Sequence, residues 1–293
     1  MTIPVYWLNG RIVPTEQACI PLADHGLLYG DGVFEGIRFY HGRALRLRQH
    51  VERMYRSASV LCLVIPLSEN ELTTAVAETI AAYNGADGYL RVVVTRGVGK
   101  LGLDPKSCVR PNVFIIADAL AMVSAEVRAQ GARVIISSTR RLSPDGLDPR
   151  IKSLNYLNHI MARMEAANAS ADEAILLNAQ GRVTEGTADN VFIVRGGKLY
   201  TPPASDGALQ GITRELVMEL ADELGIACAE VSLSAYDLYT ADECFLTGTG
   251  AELIPVREVD GRVLTSSPGP VFARVQQAFQ ALVRRECGGG EQE

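Results

Sequence analysis

Strand-type and helix-type runs are interleaved along this chain in a way that no single regular layering accommodates. Val5–Leu8 and Ile12–Val13 flank Asn9-Gly10, the dipeptide that favours a tight hairpin turn. Val33–Tyr40 and Ala44–Leu47 flank His41-Gly42 and read as a second hairpin. Val51, Met54, Tyr55, Ala58, Leu61 and Cys62 then recur at helical spacing. Ser68 with Glu71 makes a capping box ahead of Leu72, Ala75, Val76, Thr79 and Ile80, which marks another helix. Tyr89–Val94 and Val113–Ala117 are β-rich runs around a Gly/Pro loop.

A second half opens near Gly131 with a strand at Arg133–Ser137, a turn-rich loop at Arg140–Pro149 and a helix from close to Ser153 to about Ala167. Short strands follow at Ala174–Leu177, Arg182–Thr184, Val191–Val194 and Leu199–Thr201. A helix at 213–224, strands near 227–231, Cys244–Thr247 and Val256–Val259, and a helix from about 271 complete the pattern. Hairpin pairs mixed with strands between helices exclude a regular βαβ alternation and give an α+β chain in two domains. The expected division is a small N-terminal α/β domain at 1–120, a linker at 121–130, a larger domain at 131–287 and a disordered tail at 288–293.

Composition removes several function classes. Of 293 residues, 47% are hydrophobic and 21% charged, enough core for folded domains and unlike a disordered chain. The net charge is −6 and no basic patch carries interleaved aromatics, so no nucleic-acid partner is expected. The apolar runs are of strand length, too short for a bilayer span, so no membrane partner is expected either. Met1 to Trp7 has neither the charged nor the long apolar region of a signal peptide. Cysteines at 19, 62, 108, 228, 244 and 287 show no paired spacing, which suggests free thiols, a cytoplasmic location and no metal site.

Gly97, Gly99 and Gly102 satisfy G-x-G-x-x-G after a strand, but Leu103-Asp104-Pro105 and Arg110-Pro111 block the helix that a dinucleotide fingerprint must open. That stretch reads as a loop, and a nucleotide-binding oxidoreductase is disfavoured. The lysines are more informative, because the chain has four of them against 24 arginines. Lys198 follows Gly196-Gly197 in a hairpin turn, and Lys100 and Lys106 fall in the Gly/Pro loop; all three read as solvated. Lys152 stands where a loop meets the expected helix start, where the dipole disfavours the ammonium form and helps an amine act as a nucleophile or Schiff-base partner. By itself, a lysine reaching back to solvent explains that position better.

Its companions shift the balance. Glu185 ends a strand in Thr-Glu-Gly-Thr-Ala-Asp-Asn, where a carboxylate could keep a pyridinium nitrogen protonated; the plainer reading is an exposed strand-end charge. Gln210-Gly211-Ile212-Thr213 opens a helix and Thr247-Gly248-Thr249-Gly250 follows a strand, so both offer clustered N–H groups, the first suited to a phosphate. Arg53 could add a permanent cation, although single helix arginines are usually solvated.

Seven ordered blocks carry a resemblance. They are Leu-Leu-Tyr-Gly-Asp-Gly-Val-Phe-Glu-Gly-Ile-Arg at 27–38, His-Val-Glu-Arg at 50–53, Gly-Tyr-Leu-Arg at 88–91, Lys-Ser-Leu-Asn-Tyr-Leu at 152–157, Thr-Glu-Gly-Thr-Ala-Asp-Asn at 184–190, Gly-Ile-Thr-Arg at 211–214 and Gly-Thr-Gly-Ala-Glu at 248–252. The chain resembles fold-type IV pyridoxal-phosphate enzymes over nearly its whole length, and among them branched-chain-amino-acid aminotransferases. The resemblance implies the D-amino-acid aminotransferase-like fold, with a mixed β-barrel-like sheet and helices in the larger domain. It implies pyridoxal 5'-phosphate as cofactor, amino acids and 2-oxo acids as substrates, and a homodimer or higher homo-oligomer.

Roles follow from the same resemblance. Lys152 would hold the cofactor through its amine and later move the proton between Cα and C4′. Glu185 would pair with the pyridine nitrogen and Tyr156 with the phenolic oxygen. Arg53, the N–H groups of Ile212 and Thr213, and Thr249 would take the phosphate. Tyr89, with N–H groups around Thr249 and Gly250, would receive the α-carboxylate. Arg91, helped by Tyr29, would bind the distal carboxylate of glutamate or 2-oxoglutarate; Phe34 would line the apolar pocket, and Arg38 would stand among the substrate-binding residues. The loop at 99–105 would help close that pocket.

Asn155 and Tyr156 come three and four residues after Lys152, one fewer than in many members of the family. Ile-Lys-Ser-Leu-Asn also occurs in D-amino-acid aminotransferases of the same fold. Phe34 to Arg38 and Tyr89 to Arg91 follow the branched-chain pattern instead. Transamination of L-leucine, L-isoleucine and L-valine with 2-oxoglutarate is thus the leading expectation. A D-amino-acid aminotransferase or an aminodeoxychorismate-lyase-like enzyme is the alternative, and a non-catalytic binding protein the plainest option.

Overall fold

The computed structural model describes residues 3–120 and 123–288. Its contacts divide the chain into two compact units. The first comprises the chain up to Leu120 together with Ile151–Asn155 and the stretch from Val283 onward; the second comprises the chain from Ala121 to Arg150 and Tyr156–Leu282. Ile151–Asn155, expected in the larger domain, thus belongs by its contacts with the first unit, because its backbone is hydrogen-bonded to a strand there. Within the expected linker, Ala125–Gln130 is a short helix capped by Ser124, while residues 121 and 122 lie outside the described residues. The expected disordered tail lies outside them too, apart from Gly288.

The first unit is built on strands β1 (Val5–Leu8), β2 (Arg11–Val13), β3 (Gly32–Tyr40), β4 (Arg43–Ala44), β5 (Gly88–Thr95) and β6 (Asn112–Asp118) in the order β2-β1-β6-β5-β3-β4. All the pairings of this sheet are antiparallel, and both expected hairpins form, the second with its return strand at Arg43–Ala44 in place of the expected Ala44–Leu47, because Leu47 already opens the helix that follows. Helix α1 (His25–Tyr29) precedes β3, while α2 (Leu47–Val60) and α3 (Glu69–Ala82) lie between β4 and β5. The Ser68–Glu71 capping box is formed at the start of α3. Strand alternation sends Val33, Ile37 and Phe39 of β3 and Leu90, Val92 and Val94 of β5 into one core with Val51, Met54 and Ala58 of α2. Phe34, Gly36 and Arg38 therefore share the other face of the sheet with Tyr89 and Arg91, which stand opposite Arg38 and Gly36 in register.

The second unit contains α4 (Ala125–Gln130), β7 (Ala132–Arg140), α5 (Leu157–Asn168), β8 (Glu173–Leu177), β9 (Val183–Gly186), β10 (Asn190–Arg195) and β11 (Lys198–Thr201). These are followed by α6 (Ile212–Glu223), β12 (Cys228–Glu230), α7 (Ala235–Tyr239), β13 (Glu243–Gly248), β14 (Glu252–Val259), β15 (Arg262–Val263) and α8 (Pro270–Cys287). Helix α8 belongs to this unit up to Leu282. Nine strands form one mixed sheet in the order β12-β11-β10-β13-β14-β7-β8-β9, with β15 on β14. Pairings of β7 with β8 and β14 and of β11 with β12 are parallel, the others antiparallel. The α+β class expected from the sequence, with a small α/β unit and a larger mixed-sheet unit, is what the structure shows.

One expected boundary moves. The helix placed near Ser153 begins at Leu157, with Tyr156 at its N-cap position. Before it, the chain is extended and anneals to β3: Phe34 N donates to Lys152 O at 3.0 Å, Leu154 N donates to Gly32 O at 3.0 Å, and Ser153 bridges Val33. The Asn155 amide also donates to Gly30 O at 3.0 Å. Lys152 is thus carried by an extended segment bridged to β3 and not by a helix start, so the dipole argument for its amine does not apply.

Candidate active site

In the first unit, the annealed segment delivers Lys152 to the Phe34 face of the sheet. Its Nζ lies 4.8 Å from the centroid of the Phe34 ring, and the Arg91 guanidinium lies 4.4 Å from the same ring. Arg91 is also 5.9 Å from the Tyr89 ring. Gly36 makes room for Tyr89, since a Cβ there would fall 1.8 Å from the Tyr89 hydroxyl oxygen. An amine, an apolar ring, a phenol and a guanidinium are therefore grouped on one face, with Arg38 beside Tyr89 in register. Tyr29 is engaged differently: its hydroxyl accepts from Gly102 N at 3.0 Å, while His25 Nε2 donates to Lys100 O at 2.9 Å. Those two bonds fasten the Gly99–Pro105 stretch to α1.

Arg53 lies on the buried side of α2, which presents His50, Val51, Arg53, Met54, Ser57 and Ala58 at i, i+3, i+4, i+7 spacing. Its Nε donates to Glu35 Oε1 at 2.7 Å and its Nη2 to Glu35 Oε2 at 2.8 Å, a bidentate pair. His50 Nδ1 is 2.7 Å from the same Oε2, and since a carboxylate can only accept, Nδ1 carries the proton. Burial would raise the Glu35 pKa, but the Arg53 charge and the His50 and Arg53 hydrogen bonds outweigh it and hold the carboxyl well below the usual glutamate range. Burial pushes His50 down, against the pull of Glu35. One turn beyond Arg53, Ser57 Oγ accepts the backbone N–H of Lys152 at 3.2 Å.

In the second unit, Glu185 lies in β9 and is 5% exposed. Its Oε1 accepts from Arg141 Nε at 2.7 Å and its Oε2 from the backbone N–H of Leu209 at 2.8 Å. His159 Nε2 is 3.5 Å from Oε1, and the His159 ring stacks on Tyr156 with centroids 4.4 Å apart. Burial would raise the Glu185 pKa, yet His159, Arg141 and the Leu209 N–H bring it below the ordinary value. The carboxyl is ionised, as a partner for a protonated ring nitrogen must be. Ile212 and Thr213 open α6 behind Gly211, and a Cβ on Gly211 would fall 1.9 Å from Asn190 Oδ1. Thr249 and Gly250 lie in the turn between β13 and β14, just after Gly248, where a Cβ would fall 2.1 Å from Asp189 Oδ1.

Each unit thus holds part of the expected set. Lys152, Phe34, Arg91, Tyr89 and Arg38 come together in the first, whereas the Tyr29 hydroxyl is bonded to the loop. Tyr156 and Glu185 are linked through His159 in the second, and Leu209 ties Glu185 to the loop that leads into Ile212 and Thr213. The donor set suits pyridoxal phosphate: a primary amine, an ionised buried carboxylate, a buried guanidinium and a helix N-terminus pinched by glycine. Sequence reasoning missed Glu35, His50, Arg141 and His159 as functional groups. A glutamate at a core-facing strand position between Val33 and Ile37 was a usable signal, because a buried charge demands a partner. Arg141, one of two adjacent arginines in a loop, had none.

A family model described as amino-transferase class IV matches residues 32–259. A Methanocaldococcus jannaschii protein provisionally named as a branched-chain-amino-acid aminotransferase is 49% identical, with 94% of this chain and 95% of that protein covered. Among solved structures, the Escherichia coli branched-chain amino acid aminotransferase has a TM-score of 0.93 at 36% identity, covering 98% of this chain and 96% of that one. The Thermobaculum terrenum branched-chain amino acid aminotransferase, solved in its PLP-bound holo form, has a TM-score of 0.87 at 31% identity, covering 96% of this chain and 94% of that one.

Proposed function

The chain belongs to the class IV aminotransferases, and on that premise we propose that it is a pyridoxal-phosphate enzyme transferring the amino group of L-leucine, L-isoleucine and L-valine to 2-oxoglutarate. The observation that carries this reading is the Phe34 ring, with the Lys152 amine at 4.8 Å and the Arg91 guanidinium at 4.4 Å. A transaminase of this kind takes an apolar and an acidic side chain in turn at one place. A guanidinium stacked on an aromatic ring meets both demands: its charged edge takes a distal carboxylate and its flat surroundings take an aliphatic chain.

When bound, pyridoxal phosphate supplies an electron-poor ring that accepts the electron pair of the breaking Cα–H bond. Lys152 would hold the cofactor through its amine and would move the proton between Cα and C4′. Arginine cannot replace it, because a guanidinium stays charged and forms no such bond. Glu185, kept ionised, would accept a hydrogen bond from the protonated ring nitrogen, and Tyr156 would donate to the phenolic oxygen. Arg53, the N–H groups of Ile212 and Thr213, and Thr249 take the phosphate. Tyr89 and the N–H groups at Thr249 and Gly250 would receive the α-carboxylate and Arg91 with Tyr29 the distal one, with Arg38 among the substrate-binding residues.

Borohydride treatment of the yellow protein is expected to fix the cofactor on a peptide containing Lys152, and Lys152→Ala to abolish transamination. A colourless protein that takes up no pyridoxal phosphate, or turnover of D-alanine with none of L-leucine, would sink this reading. A homodimer is part of the proposal: Leu157, Ile160, Met161 and Met164 form an exposed apolar stripe along α5, 50–74% accessible. Sedimentation at the monomer mass at micromolar concentration would refute it. Six free cysteines support a cytoplasmic location, to be checked by fractionation.

A further inference from the structure

We propose that Glu35, backed by His50, is a positioning group that sets the guanidinium of Arg53 for an oxyanion, so that the grip on the cofactor phosphate is fixed from inside the hydrophobic core of the first unit. The inference rests on the phosphate role proposed for Arg53. Glu35 and His50 are each 1% exposed and Arg53 is 5% exposed, among Ile37, Val51, Met54, Leu72, Val76 and Val92. An ion pair at such a place is a poor stabiliser, since desolvating two charges offsets most of their attraction and apolar residues of similar volume do as well. What it achieves is orientation. Two parallel hydrogen bonds fix both the plane and the rotation of the guanidinium, which a long side chain would otherwise have to freeze when an anion arrives.

The pairing also selects an edge. Nε and Nη2 are committed to the two oxygens of Glu35, so the edge that carries them faces the carboxylate. His50 contributes a neutral donor to Oε2, which holds the carboxylate in turn without adding a second cation beside Arg53. Helix α2 extends the effect, because Ser57 on the same face binds the backbone of Lys152. The phosphate-binding arginine and the reactive lysine of this unit are therefore registered through one helix.

The test separates the phosphate from the rest of the cofactor. Dissociation constants for pyridoxal 5'-phosphate and for pyridoxal, which lacks the phosphate, are measured by equilibrium dialysis on stripped protein. Glu35→Gln keeps the shape but weakens the pairing; it is expected to lower affinity for pyridoxal 5'-phosphate about tenfold while that for pyridoxal stays within about twofold. His50→Gln is expected to shift the same ratio by about threefold, a neutral hydrogen bond being worth less than a charged one. A purely structural role would lower the melting temperature and leave the ratio alone. A wild-type ratio in Glu35→Gln beside a collapsed ratio in Arg53→Ala would overturn the proposal while sparing the function. A wild-type ratio in Arg53→Ala would overturn both the proposal and the phosphate assignment beneath it. If Glu35→Gln does not fold, Glu35→Asp serves: it retains the charge but is too short to hold both N–H groups, and a wild-type ratio there overturns the proposal equally.

Discussion

Both units bury a glutamate with an arginine and a histidine, yet the two clusters are wired in opposite senses. In the first unit Glu35 grips Arg53 by two hydrogen bonds and takes His50 as a third, so the carboxylate is consumed in holding the arginine. In the second, Glu185 receives a single side-chain bond from Arg141 and one from the Leu209 backbone, while His159 leans at 3.5 Å and stacks on Tyr156. A bidentate clamp immobilises its cation; a one-point contact from a permanent cation keeps an acid ionised and still able to accept. On the roles proposed above, the same three side chains would present a cation to an anion in one place and a carboxylate to a proton in the other. The number of contacts that each carboxylate makes with its own arginine is what separates the two clusters.

The largest effects should come from removing each arginine. Arg53→Met and Arg141→Met each strand a buried carboxylate and should cost about 3–5 kcal/mol in urea unfolding of the stripped protein. Beyond that shared loss they should diverge, Arg53→Met in cofactor affinity and Arg141→Met in kcat at saturating cofactor. Identical kinetic profiles would erase the proposed difference of wiring.

Acid should produce a smaller and graded effect. Both Glu35 and Glu185 have folded-state pKa values below the ordinary glutamate value of 4.5, so the unfolded chain binds the protons more readily. Their contribution to stability is complete above that value and is lost as pH falls below it. Glu165, which accepts from the N–H groups of Ser138 and Thr139 and is held down at about 2, adds to the same slope. Urea midpoints measured from pH 6 to pH 3 should fall below about pH 4.5, and less steeply in Glu35→Gln; an unchanged slope in that variant would remove Glu35 from the account. The smallest effect is a control. Ser68→Ala breaks the exposed capping box of α3, which touches neither cluster's charged groups, and should cost about 1 kcal/mol with cofactor affinity and kcat intact.

Much of this organisation was readable beforehand where local chemistry dictates it. Asn9-Gly10 and the Ser68–Glu71 box set a hairpin and a helix that formed as expected, because the turn and the cap are satisfied by neighbouring residues. Lys152 stands out by its rarity and its sequence neighbours, but its extended setting leaves no mark in the sequence. An extended run of three residues whose hydrogen bonds go to a strand more than a hundred residues earlier leaves no local periodicity to detect. Arg141 was invisible for the same reason, since its partner lies 44 residues away. Glu35 was legible in principle, as a charge on the apolar side of an alternating strand.

The annealing of 152–154 to β3 also bears on how such a chain can tolerate change. The height of Lys152 along the sheet is set by its hydrogen bonds with Gly32 and Phe34, not by the number of residues in the turn-rich stretch before it. Insertions or deletions between Arg141 and Ile151 could therefore be absorbed as slack while the amine keeps its station. The docked segment acts as a vernier: loop length can drift through evolution or be edited by design, and the Lys152 amine remains indexed to the Phe34 ring.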